Sequence, residues 1–305
     1  MKTKILITGG SGFLGSRLAY CYRDRYDLLL PPHSELNISH EESVRAYLEE
    51  HRPEAVIHCA ALSNTWYCEQ HPEESHKVNV QGTVRIAKAC KLTGAKLIFM
   101  SSDQVYNGTT GSGALKEEEV LQPVNIYGRH KLEAEQRTLM NLPDAVGLRL
   151  TWMYDLPDSR MKLNSNILVN LQKASDEGTV IKAATHEFRG VTYVWDVVRN
   201  MEKALSLSGG IYNFGSGNST SNALNNISSN ALNNISNNAL NNISNNALNS
   251  YELFLKAAAL MGLKEPSAWI LPDEERFRDH SVQIKMTGND YRYYKHVLAP
   301  PKEIV

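Results

Sequence analysis

A glycine-rich turn near the start of the chain constrains the fold more than any other feature. An apolar strand pattern, Lys4–Thr8, runs directly into glycines at positions 9, 12 and 15, and a helical pattern follows over Gly15–Arg25. Glycines at this spacing tighten the turn and let the backbone approach a pyrophosphate, while the helix N-terminus offers amides to the phosphates. The turn therefore predicts a dinucleotide site formed by Gly9, Ser11, Gly12, Phe13, Leu14 and Gly15.

Strand and helix patterns alternate through the first 150 residues. The predicted elements are strands over Glu54–Ala60, Ala95–Ser101 and Ala145–Leu150, with helices over Glu41–His51 and Val80–Leu92. Strands separated by helices join through right-handed crossovers into a parallel sheet covered on both faces. We predict an α/β fold with a doubly wound, Rossmann-like sheet, and assign residues 1–150 to a dinucleotide-binding domain.

Residues 151–305 are predicted to form a smaller substrate-binding subdomain, from which later segments return to the first domain. The patterns there are looser: helices over Lys162–Ser175 and Val194–Leu207, a strand over Gly210–Phe214, and a helix that begins at Ser250.

An asparagine-rich repeat interrupts this second part. Residues 222–249 repeat an octapeptide of the type NALNNISN almost perfectly, with 13 asparagines and no charged side chain. Its leucines and isoleucines recur every four residues on average, so they drift around a helix of about 3.6 residues per turn instead of holding one face. We predict a surface excursion. Stacked coils, and burial of the apolar residues against the subdomain or a second subunit, are the alternatives.

The net charge and the lengths of the apolar runs argue against nucleic-acid-binding and membrane proteins. The net charge of −1 provides no basic surface for nucleic acid or for an anionic membrane. No apolar run approaches the roughly 18 residues of a membrane helix, and the N-terminus lacks a signal-peptide cleavage site, so we expect a cytoplasmic protein.

Ten histidines show no metal-ligand spacing, and no metal is expected. The cysteines lack a CxxC pair and are expected to be reduced: Cys21, Cys59, Cys68 and Cys90.

A tyrosine and a lysine one helical turn apart suggest acid–base chemistry. Tyr127 and Lys131 are four positions apart, so their side chains project from the same face of a helix. A nearby ammonium favours the phenolate and is expected to lower the pKa of the phenol of a proton donor. Ser102 ends the preceding strand, and such folds bind ligands at the carboxyl ends of their strands. We predict that these three residues are catalytic.

The segment after the second strand bears on the choice of cofactor. An acid normally binds the adenosine ribose here, but Leu28–Leu30 is followed by Pro31, Pro32, His33 and Ser34, with no acid before Glu35. Without that carboxylate a ribose phosphate meets less repulsion, and His33 or Ser34 is placed to contact it. NADP is therefore favoured over NAD, although Glu35 or the backbone would still serve NAD.

Taken together, these motifs resemble the extended short-chain dehydrogenase/reductase superfamily, and within it the dTDP-4-dehydrorhamnose reductases. The superfamily motifs are the glycine turn, Cys59–Ala61, Val78–Thr83, Ser101–Tyr106 and Tyr127–Lys131. The narrower resemblance is carried by Ser34–Ile38, Asp103–Gly108, Leu148–Tyr154 and Arg189–Val194. It covers about residues 1–215 and the helix from Tyr251, whereas Phe277–Tyr294 departs from the family's tail.

The resemblance implies an NAD(P)H-dependent reductase of a 4-keto-6-deoxy sugar nucleotide. Ser102 would hydrogen-bond the substrate carbonyl, Tyr127 would protonate it, and Lys131 would hold the nicotinamide ribose. Serine replaces the family's usual threonine at position 102 but keeps the hydroxyl. Beyond the glycine turn, the implied cofactor residues are His33, Asn37, Ile38, Cys59, Ala60, Ala61, Asn79, Tyr127 and Lys131, with Asn79 in a structural role. The implied substrate residues are Asn64, Asp103, Gln104 and Trp152.

Related activities of the same fold remain open. A sugar-nucleotide epimerase would use the same three catalytic residues. A dehydratase is disfavoured because Gln104 stands where that group has a glutamate, and an amide cannot take a proton. A non-catalytic NADP-binding subunit, similar to the regulatory subunit of methionine adenosyltransferase, is the alternative from another class. A homodimer is a further expectation that the sequence leaves open.

Overall fold

The computed structural model describes residues 2–109, 115–155, 161, 166–215 and 249–276, together with the strand at 282–284. Its strands are β1 (Lys4–Thr8), β2 (Asp27–Leu29), β3 (Ala55–His58), β4 (Lys96–Ser102), β5 (Val146–Leu150), β6 (Trp152–Tyr154), β7 (Ile181–Ala184), β8 (Glu187–Arg189), β9 (Val191–Tyr193), β10 (Gly210–Phe214), β11 (Ile270–Asp273) and β12 (Val282–Ile284). The predicted repeat lies outside these residues, apart from its last residue, Asn249.

Helices connect most of these strands. They are α1 (Phe13–Tyr22), α2 (Glu41–His51), α3 (Thr65–Gln70), α4 (Pro72–Ser75), α5 (Thr83–Thr93), α6 (Ile126–Asn141), α7 (Ile167–Glu177), α8 (Val194–Leu205), α9 (Ser250–Leu260) and α10 (Pro266–Trp269). A π-helical turn, His76–Gly82, leads into α5, and a 3₁₀ turn, Asp103–Tyr106, follows β4. Within the described part of the chain, no helix is long and apolar enough to span a membrane.

Six parallel strands form the central sheet in the order β10-β5-β4-β3-β1-β2. The predicted α/β fold with a parallel sheet is therefore confirmed. β1, β3 and β5 are almost wholly buried and rich in β-branched or aliphatic residues, as expected for strands covered on both faces. One apolar cluster packs α1 and α8 against one face, and a second packs α2 and α5 against the other.

Several predicted boundaries shift by a few residues. The strand expected over Glu54–Ala60 is limited to Ala55–His58, and the helix expected from Val80 begins at Thr83 because the π-helical turn precedes it. The helix expected at Ser250 does begin there. Asn249 is its N-cap, and Asn249 and Glu252 form a reciprocal capping box.

The second half of the chain contributes both to the sheet and to a separate cluster. β10 returns to the sheet and pairs with β5. The other late strands form two-stranded pairs, namely β6 with β9, β7 with β11, and β8 with β12. A third apolar cluster joins α7 and α9 over these pairs. This arrangement brings β8 and β6 towards the carboxyl end of β4, where the predicted catalytic residues lie.

Candidate active site

The glycine turn forms a cradle that has no room for side chains. Gly9 has a φ of +68°, and the Gly12 amide donates to the Gly9 carbonyl at 2.9 Å. A Cβ at Gly15 would lie 2.2 Å from the Gly9 oxygen, so only glycine lets α1 start this close to β1. The N-cap residue Gly12 makes no side-chain cap, which leaves the first amides of α1 to a ligand. These features fit a dinucleotide pyrophosphate.

The loop after β3 closes on the same turn. A Cβ at Gly9 would lie 2.8 Å from the Ala60 nitrogen, so the half-buried Cys59, Ala60 and Ala61 border the glycine turn directly. Asn79, buried in the π-helical turn, accepts a hydrogen bond from the Leu62 amide and donates one to the Leu62 carbonyl, both at 2.9 Å. Its carboxamide therefore fixes the end of this loop, which is the structural role that the resemblance implied.

The three predicted cofactor residues beyond β2 differ in what they offer. His33 is exposed in the turn after the strand. The Asn37 side-chain oxygen accepts from the Ser39 amide at 2.9 Å and so stabilises its own turn. Ile38 is buried in the core and faces Gly82, where a Cβ would lie 3.0 Å from its Cδ1 atom. Of the three, His33 is the one fully exposed residue, and it lies in the turn where the adenosine ribose is expected.

Ser102, Tyr127 and Lys131 come together at the carboxyl end of β4. All three are buried, and the Lys131 Nζ atom lies 5.6 Å from the centre of the Tyr127 ring. Lys131 also donates to the Met100 carbonyl at 2.8 Å, which ties α6 to β4.

A cap and a glycine place the start of α6 against the 3₁₀ turn. The Asn125 side chain accepts from the Gly128 amide at 2.7 Å. A Cβ at Gly128 would lie 2.4 Å from the Gln104 carbonyl oxygen, so a larger residue there would push the helix away. Tyr127 is thereby held next to Ser102.

Burial sets the protonation states of the tyrosine and the lysine. Burial first, and then the Asp103 carboxylate, raise the pKa of the Tyr127 phenol well above its usual value, although the Ser102 hydroxyl and Arg189 lower it. The expected lowering of this pKa by Lys131 is therefore not met. Burial also lowers the pKa of Lys131, to about 8. At neutral pH the phenol thus keeps its proton, and the lysine is mostly charged.

Two of the predicted substrate residues hold the local structure. Asn64 caps α3 by accepting from the Tyr67 amide at 2.8 Å. The Gln104 side-chain oxygen accepts from Asn125 at 2.7 Å and from Asn107 at 3.2 Å. Gln104 therefore supports the cap of α6. Trp152 is half-buried at the start of β6 and lies beside Arg189, whose guanidinium carbon is 5.1 Å from the indole centroid.

Arg189 belongs to this site, although the sequence did not single it out. One of its terminal nitrogens donates to both oxygens of Asp103, at 3.0 and 3.2 Å. Asp103 also accepts from the Ser102 hydroxyl at 3.1 Å. The only signal in the sequence was the segment Arg189–Val194, which served there as a family motif rather than as a site.

A second buried ion pair fixes the end of β4. Arg149 on β5 binds Glu135 on α6 through two hydrogen bonds of 2.9 and 2.7 Å. Glu135 accepts from the Ser101 hydroxyl at 2.5 Å, and Arg149 donates to the Tyr106 hydroxyl at 2.6 Å. The segment that carries Ser102 and Asp103 is thus fixed on both sides.

Among the described residues, no group of three or more His, Cys, Asp or Glu side chains is arranged to hold a metal ion.

Known proteins match both the sequence and the fold. The model of the RmlD substrate binding domain family matches residues 3–237. A dTDP-4-dehydrorhamnose reductase of Mycolicibacterium smegmatis is 31% identical over 199 residues, covering 65% of this chain and 59% of the relative. Methionine adenosyltransferase 2 subunit beta of Xenopus laevis is 33% identical over 159 residues, covering 50% and 47%. This chain therefore spans about half to three fifths of the length of these two relatives.

A solved structure shows the same fold over nearly the whole chain. It is the dTDP-4-dehydrorhamnose reductase of Bacillus anthracis in complex with NADP, which has a TM-score of 0.75 and 22% identity. The match covers 98% of this chain and 94% of that structure.

Proposed function

The chain belongs to the RmlD substrate-binding-domain family, and we propose that it is an NAD(P)H-dependent reductase of a 4-keto-6-deoxy sugar nucleotide. The observation that carries this proposal is the meeting of Ser102, Tyr127 and Lys131 at the same sheet edge as the glycine turn. Reductases acting on dTDP-4-dehydrorhamnose are among the relatives in sequence. In this proposal the part of the chain after residue 150 covers the sugar nucleotide, with Trp152 in its wall.

The chain's own groups suit the binding of a nicotinamide dinucleotide. The backbone of Gly9–Gly15 and the first amides of α1 would hold the pyrophosphate, and Lys131 would hold the nicotinamide ribose. When bound, NAD(P)H supplies the hydride.

We favour NADP because the exposed turn after β2 carries His33 and no acid before Glu35. Titration of the protein should show that NADPH binds at least as tightly as NADH. A tenfold preference for NADH, about 1.4 kcal/mol, would contradict this choice.

Tyr127 acts as the general acid in this mechanism. Because its phenol stays protonated at neutral pH, it can give that proton to the carbonyl oxygen while C4 of the sugar receives the hydride. The Ser102 hydroxyl orients the same oxygen. The charged Lys131 lies 5.6 Å from the ring and stabilises the phenolate that forms, until solvent returns the proton.

Replacing the phenol tests the mechanism. Tyr127→Phe keeps the ring but removes the proton, so turnover should fall by about 10²–10⁴ while NADPH affinity stays nearly constant. Turnover is followed as loss of NADPH absorbance with a dTDP-4-keto-6-deoxy sugar. Lys131→Met should lower both turnover and NADPH affinity. Tyr212→Phe, which removes a phenol that donates to the Ser208 carbonyl just before β10, is the control and should change neither.

Two outcomes would contradict the proposed chemistry. If Tyr127→Phe keeps more than about a tenth of wild-type turnover, the phenol is not the acid. If turnover produces an isomeric sugar without consuming NADPH in equal amount, the enzyme is an epimerase.

A non-catalytic role is the second candidate, because the similarity to subunit beta of methionine adenosyltransferase 2 is comparable in identity to that of the reductases. A subunit of this kind would bind NADPH, oxidise none of it with any keto sugar nucleotide, and co-purify with a partner protein even as Tyr127→Phe. A reductase would oxidise NADPH without a partner.

A further inference from the structure

Arg189 makes contacts at the site that the reaction described above does not use. We propose that Arg189 is a positioning residue that acts through Asp103 to hold Ser102 and Tyr127 ready for proton transfer. This inference deepens the proposed function and rests on it for the role of Tyr127.

The geometry links Arg189 to the catalytic hydroxyl in two steps. Its guanidinium binds both Asp103 oxygens, and one of these oxygens also accepts from the Ser102 hydroxyl. Ser102 has a single proton, and a carboxylate competes strongly for it. With both Asp103 oxygens already bound to Arg189, the carboxylate competes less, and the Ser102 proton can turn to a substrate oxygen.

The rest of the Arg189 side chain is held as well. Glu187 approaches its other terminal nitrogen at 3.8 Å, and the guanidinium lies over the Trp152 ring. Glu187 is in turn bound by the Ser250 hydroxyl at 2.8 Å. Arg189 is therefore fixed from β8, β6 and α9, and its position does not depend on Asp103 alone.

Titratable groups from several neighbouring elements face Tyr127. The charged ones are Asp103 from the 3₁₀ turn, Arg189 from β8 and Lys131 from the same helix. The Cys68 thiol from α3 is the fourth group, and burial raises its pKa, so it stays neutral. As Tyr127 gives up its proton it becomes negative, and the 2%-exposed Asp103 carboxylate opposes that change. Arg189 is the cation that offsets Asp103 directly, because their closest atoms are 3.0 Å apart.

Stability alone does not account for this pair. The Arg189 side chain is only 16% exposed, and its buried Nε atom has no hydrogen-bond partner among the residues that the structure describes. An unpaired buried donor costs about 1–3 kcal/mol, and buried ion pairs often contribute little net stability. A residue kept at such a cost beside a catalytic tyrosine is better explained by its effect on the site.

The electrostatic part of the proposal can be tested without any sugar substrate. An ortho-fluorinated tyrosine, whose phenol ionises at a much lower pH, is placed at position 127 and titrated by fluorine NMR. Arg189→Met should raise the pKa of this phenol by about 1, because Asp103 is then uncompensated. Asp103→Asn should lower it. The double variant Arg189→Met/Asp103→Asn should return close to the parent value.

Arg199→Met is the matched control. The Arg199 side chain is 19% exposed and pairs with Asp196 on α8, and within the described part of the chain its buried Nε atom also has no hydrogen-bond partner. Its removal should leave the pKa of the fluorinated phenol unchanged. Because the double variant leaves neither Arg189 nor Asp103 as a lone buried charge, it stays informative even if Arg189→Met alone folds poorly.

Turnover gives the second readout. Arg189→Met should lower kcat by roughly tenfold with little change in KM for the sugar nucleotide, and Asp103→Asn in the same chain should restore most of kcat. If KM rises instead and Asp103→Asn does not rescue, Arg189 is a substrate ligand and the proposal is wrong. If the titration responds as expected but no keto sugar nucleotide is reduced, the proposed function fails while the link between Arg189 and Tyr127 holds.

Discussion

At the carboxyl ends of β1 and β3, backbone forms the site, whereas at the ends of β4 and β5 charged side chains form it. The first region has Gly9 and Gly15 in contact across the turn, with no space for a Cβ. The second region buries two ion pairs, Arg149 with Glu135 and Arg189 with Asp103. The first region is therefore sensitive to added atoms, and the second is sensitive to removed charges.

This difference fits the proposed function of each region. A pyrophosphate is recognised by amides and by the positive end of a helix, and it needs close approach rather than side chains. Proton transfer to a carbonyl needs hydroxyls whose orientation and protonation state are controlled by neighbouring charged groups. Buried pairs supply that control because their interaction is strong where water is excluded.

Removing a charge from the second region should give the largest effect. Arg149→Met leaves Glu135 buried at 3% exposure without its cation, and it also removes the donor to Tyr106. We expect the free energy of unfolding, measured by urea denaturation, to fall by about 3–5 kcal/mol.

Two further variants check that the lone buried charge is the cause. Arg149→Met/Glu135→Gln should recover a large part of the loss, because no unpaired charge then remains. Arg137→Met, which removes an exposed pair with Glu133, should change stability by less than about 0.5 kcal/mol. A double variant as unstable as Arg149→Met would show that packing rather than charge holds this region.

Adding an atom to the first region should have the next largest effect. In Gly15→Ala the new Cβ would overlap the Gly9 oxygen, so α1 must move away from the turn. We expect a loss of about 1–3 kcal/mol in unfolding free energy and at least a tenfold loss of NADPH affinity in a binding titration. Ser16→Ala, one residue further along α1, adds no atom and should leave NADPH affinity unchanged. Normal NADPH binding by Gly15→Ala would argue against the turn as the pyrophosphate site.

The same contrast explains which features the sequence could predict. The glycine turn, the parallel strands and the helix from Ser250 follow from local patterns of apolar residues, glycines and caps, and the structure confirms their places. The pair of Arg189 with Asp103 joins residues 86 positions apart, and no local pattern signals such a contact.

Local chemistry also misled where burial decides the outcome. The spacing of Tyr127 and Lys131 correctly put both on one helix, but the expected fall in the pKa of the phenol overlooked the cost of burying its charged form. The contacts of Asn37 and Gln104 with ligands stay predictions, and the structure adds that their side-chain oxygens accept hydrogen bonds from nearby protein groups. A linear sequence does not show which polar groups the fold itself will use.

The octapeptide repeat should matter least to either region. It carries no charged side chain, and its last residue, Asn249, is the N-cap of α9. Closing a loop costs only about 0.6 kcal/mol more for each doubling of its length, so an insertion at this point is tolerated. We expect deletion of residues 222–248 to leave the melting temperature within about 2 °C of the parent and NADPH affinity unchanged.

Variants at the Asn249 cap provide a comparison for the small effect of the deletion on stability. Extending it to residue 249 removes Asn249 but brings Ser221 next to Ser250, and serine is also a good N-cap, so the two deletions should differ by only a few tenths of a kcal/mol. Asn249→Ala in the full chain has no such replacement and should cost about 1 kcal/mol, because it breaks the capping box with Glu252. A fall of more than about 8 °C on deleting 222–248 would mean that the repeat buries its leucines and isoleucines in the folded protein, and the prediction of a surface excursion would be wrong.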